Sequence, residues 1–517
     1  MNLKDIENTI CIFERAFPKY IKMCKVMGIF YEVKIDKGSV YVLGLNKSNI
    51  FYYITDDINS FNEEDTEVII NNSHTNNDII DSISVGGNRI WADIDEEFEN
   101  SEIKVVGGRN LISVKGMFRN LKCKSIDFSG FCTSKLKSFE NMFISSSTGN
   151  IKFNTLYSHH ITDFSYMFRG AVVEGELRFS ELDTTNAINM SGMFENAIIP
   201  KANFDGFYTS NVKYMNCMFL ETDWDKLKLN IDTHNVISMQ SMFHNCSLED
   251  DFDIHSFDVS KVQDMSYMFS RFYCKVLDLS NARAVNCTDM SYMFENSGCD
   301  KLILNNFCTK NVVNMRGMFL GYSRTELDVS SFNTLKVTDM SQMFLNVRNI
   351  EDRIVGLEQF DTSNVENMAA MFMNAKVGTF IQNFNTSKVT NMSDMFKYFV
   401  ILNDNIFDVS NFDFSSVADM SFMFFGCKIK CNILKISDFD MNNKNMENAF
   451  GLQLGTLKVT KDNFLLDVKS LLHEKLYYYI DCSNPEIVNK AKSDIRKVCK
   501  THELIFDNNI IEELKVQ

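Results

Sequence analysis

Positive charge is in short supply in this chain. Its 52 lysine and arginine residues are outnumbered by 68 aspartate and glutamate residues, which leaves a net charge of −16 at pH 7. Nucleic-acid affinity comes largely from basic side chains that displace counterions, so no nucleic-acid ligand is expected. The same charge disfavours adhesion to an anionic membrane leaflet.

Long apolar runs and export signals are also missing. The sequence has no run of about 18 apolar residues, so no membrane span is predicted. Residues 1–28 interleave acids and bases with apolar residues and show no signal peptide. The 14 cysteines form no CxxC pair, which favours reduced thiols in a cytoplasm-like compartment.

Catalytic and metal-binding motifs are lacking as well. The eight histidines are dispersed, and no HExxH, GxSxG or Cys/His spacing is present. The segments VGGNR at 85–89 and VGGRN at 106–110 lack the further glycine and lysine of a P-loop, so they are interpreted as turns. No catalytic residue, cofactor or metal site is predicted, and an enzyme in the N-terminal region is kept as an alternative only because that region is not repetitive.

What the sequence does have is an internal repeat that ends in Met-Phe. The motif recurs at an average interval of about 25 residues, a period typical of leucine-rich solenoids. Its final aromatic residue is found at Phe118, Phe143, Phe168, Phe194, Phe219, Phe243, Phe269, Phe294, Phe319, Phe344, Phe372, Phe396, Phe424 and Phe450.

The apolar spacing within the motif predicts a short helix. Methionine usually lies one and four residues before the phenylalanine, and valine often lies seven before, as in Val337, Met340, Met343 and Phe344. On a helix these positions cover an arc of roughly 120°, the width of a core-facing stripe. Each helix would have two turns and would depend on its neighbours for stability.

Upstream of each predicted helix, alternating segments predict a strand. The clearest are VLDLS at 276–280, ELDVS at 326–330 and IFDVS at 406–410. In the second segment Leu327 and Val329 would point inward. A further aromatic residue would fill the corner between strand and helix, as at Phe131, Phe207, Phe257, Phe307, Phe332, Phe360, Phe384 and Phe412.

Together these patterns predict an α/β solenoid. Residues 106–450 would form a leucine-rich-repeat-like array of about fourteen coils, each with a short strand and a short helix. Residues 1–105 would form a small α+β domain, with a helix in 6–21 and a hairpin across 30–45. Residues 451–517 would form a helical cap, with a helix over 483–498.

Segments such as FDTSNVENMAAMF at 360–372 and FNTSKVTNMSDMF at 384–396 resemble a known family. It is the repeat first grouped among mycoplasma lipoproteins as a domain of unknown function, allied to the BspA-type leucine-rich repeats. The resemblance implies binding or adhesion rather than catalysis, often at a bacterial surface. Similar arrays occur in large DNA viruses and phages, so an infected host cell or virion is a further expected location.

The candidate binding face follows the water-facing strand positions. Stacked coils would align carboxylates and hydroxyls into an acidic ladder that could bind a basic protein, or that could bridge calcium; a soluble face without a ligand is the other interpretation. The residues are Asp127, Asp253, Asp278, Ser280, Asp328, Ser330, Asp408 and Ser410.

The functional hypothesis is a non-enzymatic scaffold for protein–protein interaction. Its alternatives are an exported adhesin, a virion-associated structural protein, and an enzyme housed in residues 1–105. The sequence does not predict an oligomeric state.

Overall fold

The computed structural model describes residues 114–436 except 132, 155, 223–230, 255–256, 281, 349, 351–352, 403–405 and 410. It also describes residues 445, 447 and 449 and the backbones of the outlying strands given below. The chain forms two compact units, Met1–Leu248 and Glu249–Gln517, which are described in turn.

In the first unit the described strands form two antiparallel and two parallel sheets. The antiparallel sheets contain β1 (Phe30–Asp36), β2 (Ser39–Asn46) and β3 (Asn49–Thr55), and β4 (Ser84–Val85) with β5 (Asn88–Arg89). The parallel sheets contain β6 (Glu102–Gly107), β7 (Lys122–Phe131), β8 (Ser147–Lys152) and β9 (Val172–Val173), and β10 (Leu177–Arg178) with β11 (Ala202–Asn203).

Two N-terminal predictions can be compared with these strands. The predicted hairpin is confirmed, because β1 and β2 are antiparallel and Asp36 pairs with Ser39. The turn interpretation of VGGNR is also confirmed, since Val85 pairs with Asn88 across two residues. The helix predicted in 6–21 lies outside the described residues.

In the second unit all the described strand pairs are parallel. One sheet contains β12 (Phe252–Asp253), β13 (Val276–Asp278) and β14 (Lys301–Ile303). The other contains β15 (Lys376–Val377), β16 (Val400–Ile401), β17 (Ile406–Val409), β18 (Lys428–Ile436), β19 (Leu454–Val459), β20 (Tyr477–Ile480) and β21 (Leu504–Ile505). The helix predicted over 483–498 lies outside the described residues.

Both units are built as β-solenoids, of about ten turns in all. The predicted α/β character and the number of fourteen coils are not supported. Among the described residues the helical segments are two three-residue 3₁₀ helices, Phe179–Glu181 and Leu357–Gln359. Parts of several coils, including 223–230 and 437–444, are not described.

The segment predicted as a helix is a succession of tight turns. The Met343 amide donates to the Met340 carbonyl at 3.2 Å, which closes a four-residue β-turn rather than the i+4 to i bond of an α-helix. The alternate amides instead bond to the next coil: Met340 donates to the Asn367 carbonyl at 3.0 Å, and Phe344 to the Met371 carbonyl at 2.8 Å. Each Met-Phe segment therefore joins neighbouring coils while it turns.

Left-handed residues explain why no helix forms. In this repeat Gln342 has a φ of 60° and Asn346 a φ of 59°. Such a backbone costs a residue other than glycine about 1–2 kcal/mol and is adopted singly, not in helices. The residue two after the motif phenylalanine is left-handed asparagine or glycine in most repeats, namely Asn120, Gly170, Asn196, Asn245, Asn296, Gly321, Asn346, Asn374 and Gly426.

The predicted core is confirmed. Met340, Met343 and Phe344 are all 0% exposed, and the Phe344 ring stacks on Phe319 at 5.8 Å and on Phe372 at 5.3 Å between centroids. Strand alternation is confirmed too, because Leu327 and Val329 are buried. The predicted corner residues are also buried, namely Phe131, Phe207, Phe257, Phe307, Phe332, Phe360, Phe384 and Phe412.

A buried column of threonines, ten residues before the motif phenylalanine, carries hydrogen bonds between coils. The Thr309 hydroxyl donates to the Asn333 carbonyl at 3.0 Å and accepts from the Asn333 amide at 2.8 Å. Buried polar groups need such partners, which a valine could not supply. The buried threonines at this position are Thr133, Thr184, Thr209, Thr233, Thr309, Thr334, Thr362 and Thr386.

Candidate binding surface

The predicted acidic position of the first unit lies beside lysines. In the backbone register of the parallel sheet, Asp127 pairs with Lys104 on one side and with Lys152 on the other. Its Oδ1 accepts a hydrogen bond from Asn154 Nδ2 at 2.5 Å. Asp127 therefore does not continue a row of carboxylates.

The predicted acidic positions of the second unit have three different kinds of neighbour. The pairs are Asp253 with Asp278, Asp328 with Val355, and Asp408 with Lys435. Among these positions the structure brings together Asp253 and Asp278 alone. Ser410 and the side chains of Asp253 and Asp408 lie outside the described residues.

The Asp-x-Ser pattern at these positions has a local role. The carboxylate of Asp278 accepts a hydrogen bond from the Ser280 amide at 2.8 Å, and that of Asp328 accepts one from the Ser330 amide at 2.9 Å. Ser129 bonds to Asp127 in the same way at 2.8 Å. These are Asx-type bonds within the chain itself, so they account for the aspartates without a ligand.

A second acidic column, which the sequence did not predict as a binding face, lies five residues before the motif phenylalanine. In the second unit this ladder row comprises Asp264, Asp289, Asn314, Asp339, Asn367, Asn391, Asp419 and Asn445, joined by parallel bridges.

Side-chain bonds tie the ladder row together. Asp339 Oδ1 accepts from the Ser341 amide at 2.7 Å, and its Oδ2 accepts from Asn367 Nδ2 at 3.4 Å. Similarly, Asp289 Oδ2 accepts from Asn314 Nδ2 at 3.0 Å. The half-buried carboxylates of the row are thus held in place by their own turn and by the next coil.

The residues just before the ladder row form an outer row that has no basic residue between positions 263 and 418; Lys444, just before Asn445, lies outside the described residues. This outer row comprises Gln263, Thr288, Val313, Thr338, Glu366, Thr390 and Ala418. We call the two rows together the acidic face; its charged residues are Asp264, Asp289, Asp339, Glu366 and Asp419. The corresponding rows of the first unit differ, because the outer positions there include Lys137 and Lys213 and the exposed Ile188.

Tyrosine rings cover glycines of the next coil on another part of the surface. A Cβ built on Gly317 would lie 2.3 Å from the Tyr292 ring, and one on Gly192 would lie 2.3 Å from the Tyr166 ring. The Tyr292 hydroxyl accepts from Arg316 Nε at 2.8 Å and donates to Gln342 Oε1 at 3.0 Å. These rings are thus fixed by neighbouring coils.

The first unit contains a cluster of titratable groups around Glu195. Arg169 Nη2 lies 2.9 Å from Glu195 Oε1, and Tyr166 and Cys217 interact electrostatically with the same carboxylate. Burial raises the pKa of the Cys217 thiol. A nucleophilic cysteine needs a lowered pKa, so this cluster does not favour cysteine catalysis.

The half-buried carboxyl of Glu195 is expected to make the stability of the protein depend on pH. Burial raises the pKa of its carboxyl, and the attraction of Arg169 only partly opposes this. A raised pKa means that stability is lost as pH rises from the ordinary glutamate range through the raised value. We therefore compare the melting temperature of Glu195→Gln with that of wild type at pH 4 and at pH 8. The difference between them should shift by about 1–2 °C in favour of the variant as the pH rises.

Melting curves of the full chain at both pH values would measure this shift. Glu174→Gln, at an exposed glutamate of the same unit, is the matched control and should show no such trend. A Glu195→Gln variant that instead loses stability toward pH 8 would show that the ion pair with Arg169 dominates.

The described part of the chain has neither a cluster of metal-ligating side chains nor a membrane-spanning helix. No group of three or more histidine, cysteine, aspartate and glutamate side chains is arranged to hold a metal ion in that part. None of the helices described there has the length and apolar character needed to cross a bilayer.

A family model matches most of the chain. The family is described as "Mycoplasma protein of unknown function, DUF285", and its model matches residues 93–180, 151–247, 188–307, 270–376 and 346–454. No curated protein and no solved structure matches the chain. Because the five matches together span well over half of the sequence and coincide with the solenoid repeats, the chain belongs to this Mycoplasma family of unknown function.

Proposed function

We propose that the protein is a non-enzymatic scaffold whose acidic face binds a basic segment of a partner protein. The observation that carries the proposal is the charge of that face. Asp264, Asp289, Asp339, Glu366 and Asp419 lie on two adjacent rows that contain no lysine or arginine from the coil of Asp264 to the coil of Asp419. Complementary charge steers association and selects partners.

The hydrogen bonds of the ladder row also suit binding. Asp289 and Asp339 are each held by an amide of the next coil, so little side-chain freedom would be lost when a partner docks. Lower ordering cost raises affinity without any new contact. With about 4.8 Å between parallel strands, the carboxylates of the acidic face would lie one or two coils apart along an extended basic segment.

We also propose a more specific family relationship and a cellular location for the protein. Kinship with the BspA-type leucine-rich repeats is supported by the FDTS-to-NMSxMF motif and its period. We place the protein in the cytoplasm, an infected host cell or a virion, with residues 1–105 as a separate domain and 451–517 as a cap. Fractionation that finds the protein only on the cell exterior would contradict this location and favour the adhesin alternative.

The binding proposal is tested by removing charge without disturbing the turns. Asparagine already occupies the ladder row at 314, 367 and 391, so the triple variant Asp264→Asn, Asp339→Asn and Asp419→Asn should fold normally. We expect its affinity for a labelled lysine-rich peptide to fall about tenfold, the effect of losing about 1.4 kcal/mol. Wild-type affinity should also weaken as salt is added.

The matched control removes the same charge from another row. Asp258, Asp361 and Asp413 also accept amides in Asx turns, but they lie eleven residues before the motif phenylalanine. Their triple asparagine variant should bind the peptide within about twofold of wild type. Equal losses in both triple variants, or no binding by wild type, would overturn the proposal.

A further inference from the structure

Two buried cysteines of the second unit lie directly opposite each other in adjacent coils. Cys274 Sγ is 3.0 Å from Cys299 Sγ, and it donates a hydrogen bond to that sulfur. Backbone bonds on both sides fix the register: the Gly298 amide donates to the Phe272 carbonyl at 2.9 Å, and the Asp300 amide donates to the Cys274 carbonyl at 3.1 Å. Both cysteines are reduced.

We propose that Cys274 and Cys299 form an oxidation site, at which hydrogen peroxide converts the two thiols into a disulfide between neighbouring coils. Paired strands lie about 4.8 Å apart, and disulfides join Cα atoms that are about 4.4–6.8 Å apart. The sulfurs need to approach by only about 1 Å to reach bonding distance. The coils can therefore be joined without moving apart.

The surroundings assign different roles to the two thiols. The pKa of Cys299 is lowered, chiefly because its sulfur accepts the hydrogen bond from Cys274, and further by Ser297 and Arg324. The pKa of Cys274 is raised, because its proton is held in that same hydrogen bond and because it is buried. Cys299 thus supplies the thiolate that attacks, and Cys274 keeps the proton.

Cys287, another buried cysteine of the second unit, has a different arrangement. The Cys287 thiol donates to the backbone carbonyl of Asp289 at 3.2 Å rather than to a second sulfur. Burial raises the pKa of Cys287 to about 12, which suppresses its thiolate. Cys287 is therefore the natural comparison within the same unit.

The reaction proceeds in two balanced steps. The Cys299 thiolate attacks one oxygen of the peroxide, the O–O bond breaks, and Cys299 becomes a sulfenic acid while hydroxide leaves. The Cys274 sulfur then attacks the sulfenic sulfur, its proton and the sulfenic hydroxyl leave as water, and the disulfide forms. Overall two thiols are oxidised and one peroxide is reduced to two water molecules.

Peroxide is small enough for this site. Cys274 keeps 6% of its surface exposed and Cys299 keeps 1%, so a bulky oxidant would be excluded. Beside them the ring of Tyr273, which is half exposed, lies over Gly298. Local opening of this coil edge gives access without unfolding the unit.

The test treats the folded full chain with hydrogen peroxide, blocks the remaining thiols with iodoacetamide and maps peptides without reduction. We expect a cross-linked peptide pair containing Cys274 and Cys299, lighter by two hydrogens than the two thiol peptides. The melting temperature should rise by a few degrees and return to its original value after dithiothreitol.

Matched variants separate pairing from general oxidation. Cys287→Ser should form the cross-link at the wild-type rate, whereas Cys299→Ser should leave Cys274 without a disulfide partner. Wild-type mapping needs no substitution, so it decides the proposal even if a variant folds poorly. Separate sulfinic acids at the two cysteines, or a pair that stays reduced while other cysteines cross-link, would overturn it.

Discussion

Replacing Phe344 with alanine is expected to lower the free energy of unfolding by about 3–5 kcal/mol, the range for truncating a buried phenylalanine. The ring is 0% exposed and lies between Phe319 and Phe372, nearly parallel to both at interplanar angles of 3° and 13°. Alanine would leave a cavity that neither neighbour can fill, because each is already stacked on a further phenylalanine.

Urea unfolding of the full chain, followed by far-ultraviolet circular dichroism, would measure this loss. The matched control is Leu335→Ala, in the same repeat, where the side chain is 47% exposed. That change should stay within about 0.5 kcal/mol of wild type. If Phe344→Ala were equally mild, the stacked rings would not be the main support of the solenoid.

Gly356→Ala is expected to cost about 3 kcal/mol, which combines left-handed strain with overpacking. Gly356 has a φ of 88°, and an added Cβ would lie 2.4 Å from the backbone nitrogen and Cα of Ser330. Since those atoms belong to the Asx turn that Asp328 forms with Ser330, they cannot move away without breaking the turn.

Gly298→Ala provides the contrast. A Cβ there would also be too close to its neighbour, at 2.2 Å, but the neighbour is the half-exposed ring of Tyr273, which can rotate into solvent. We expect a cost below about 1 kcal/mol, measured by the same urea experiment. If both substitutions lowered the free energy of unfolding equally, collision with backbone atoms would cost no more than collision with a side chain, and the prediction would be wrong.

The sequence was a good guide to which residues face inward. Met340, Met343 and Phe344 were predicted to be buried, as were Leu327 and Val329, and the structure confirms all five. Burial follows from apolar character and spacing, which the sequence shows directly. The hairpin between β1 and β2 was predictable for the same reason, because its turn residues separate two alternating runs.

The helix prediction was wrong because apolar spacing cannot distinguish a helix from repeated turns. Residues three apart, such as Met340 and Met343, lie on one face in both arrangements. What separates the two is the left-handed backbone at positions such as Gln342 and Asn346. The recurrent asparagine or glycine two residues after the motif phenylalanine was a readable signal for turns.

The candidate face was only partly accessible to sequence reasoning. The Asp-x-Ser pattern was interpreted as a binding ladder, whereas Asp278 and Asp328 accept amides in Asx turns. The more continuous acidic column includes Asp289 and Asp339. Its alignment depends on which residues pair between coils, and that register is set by the turns that the helix interpretation overlooked.

The exchange of hydrogen bonds at each Met-Phe turn has an evolutionary consequence. Every turn offers the amides and carbonyls that the following turn requires, as Met340 and Phe344 do toward Asn367 and Met371. A duplicated segment of DNA encoding one such unit would therefore find ready-made neighbours above and below. Chains of this design can gain or lose whole units through recombination while the interior of the remaining units stays intact.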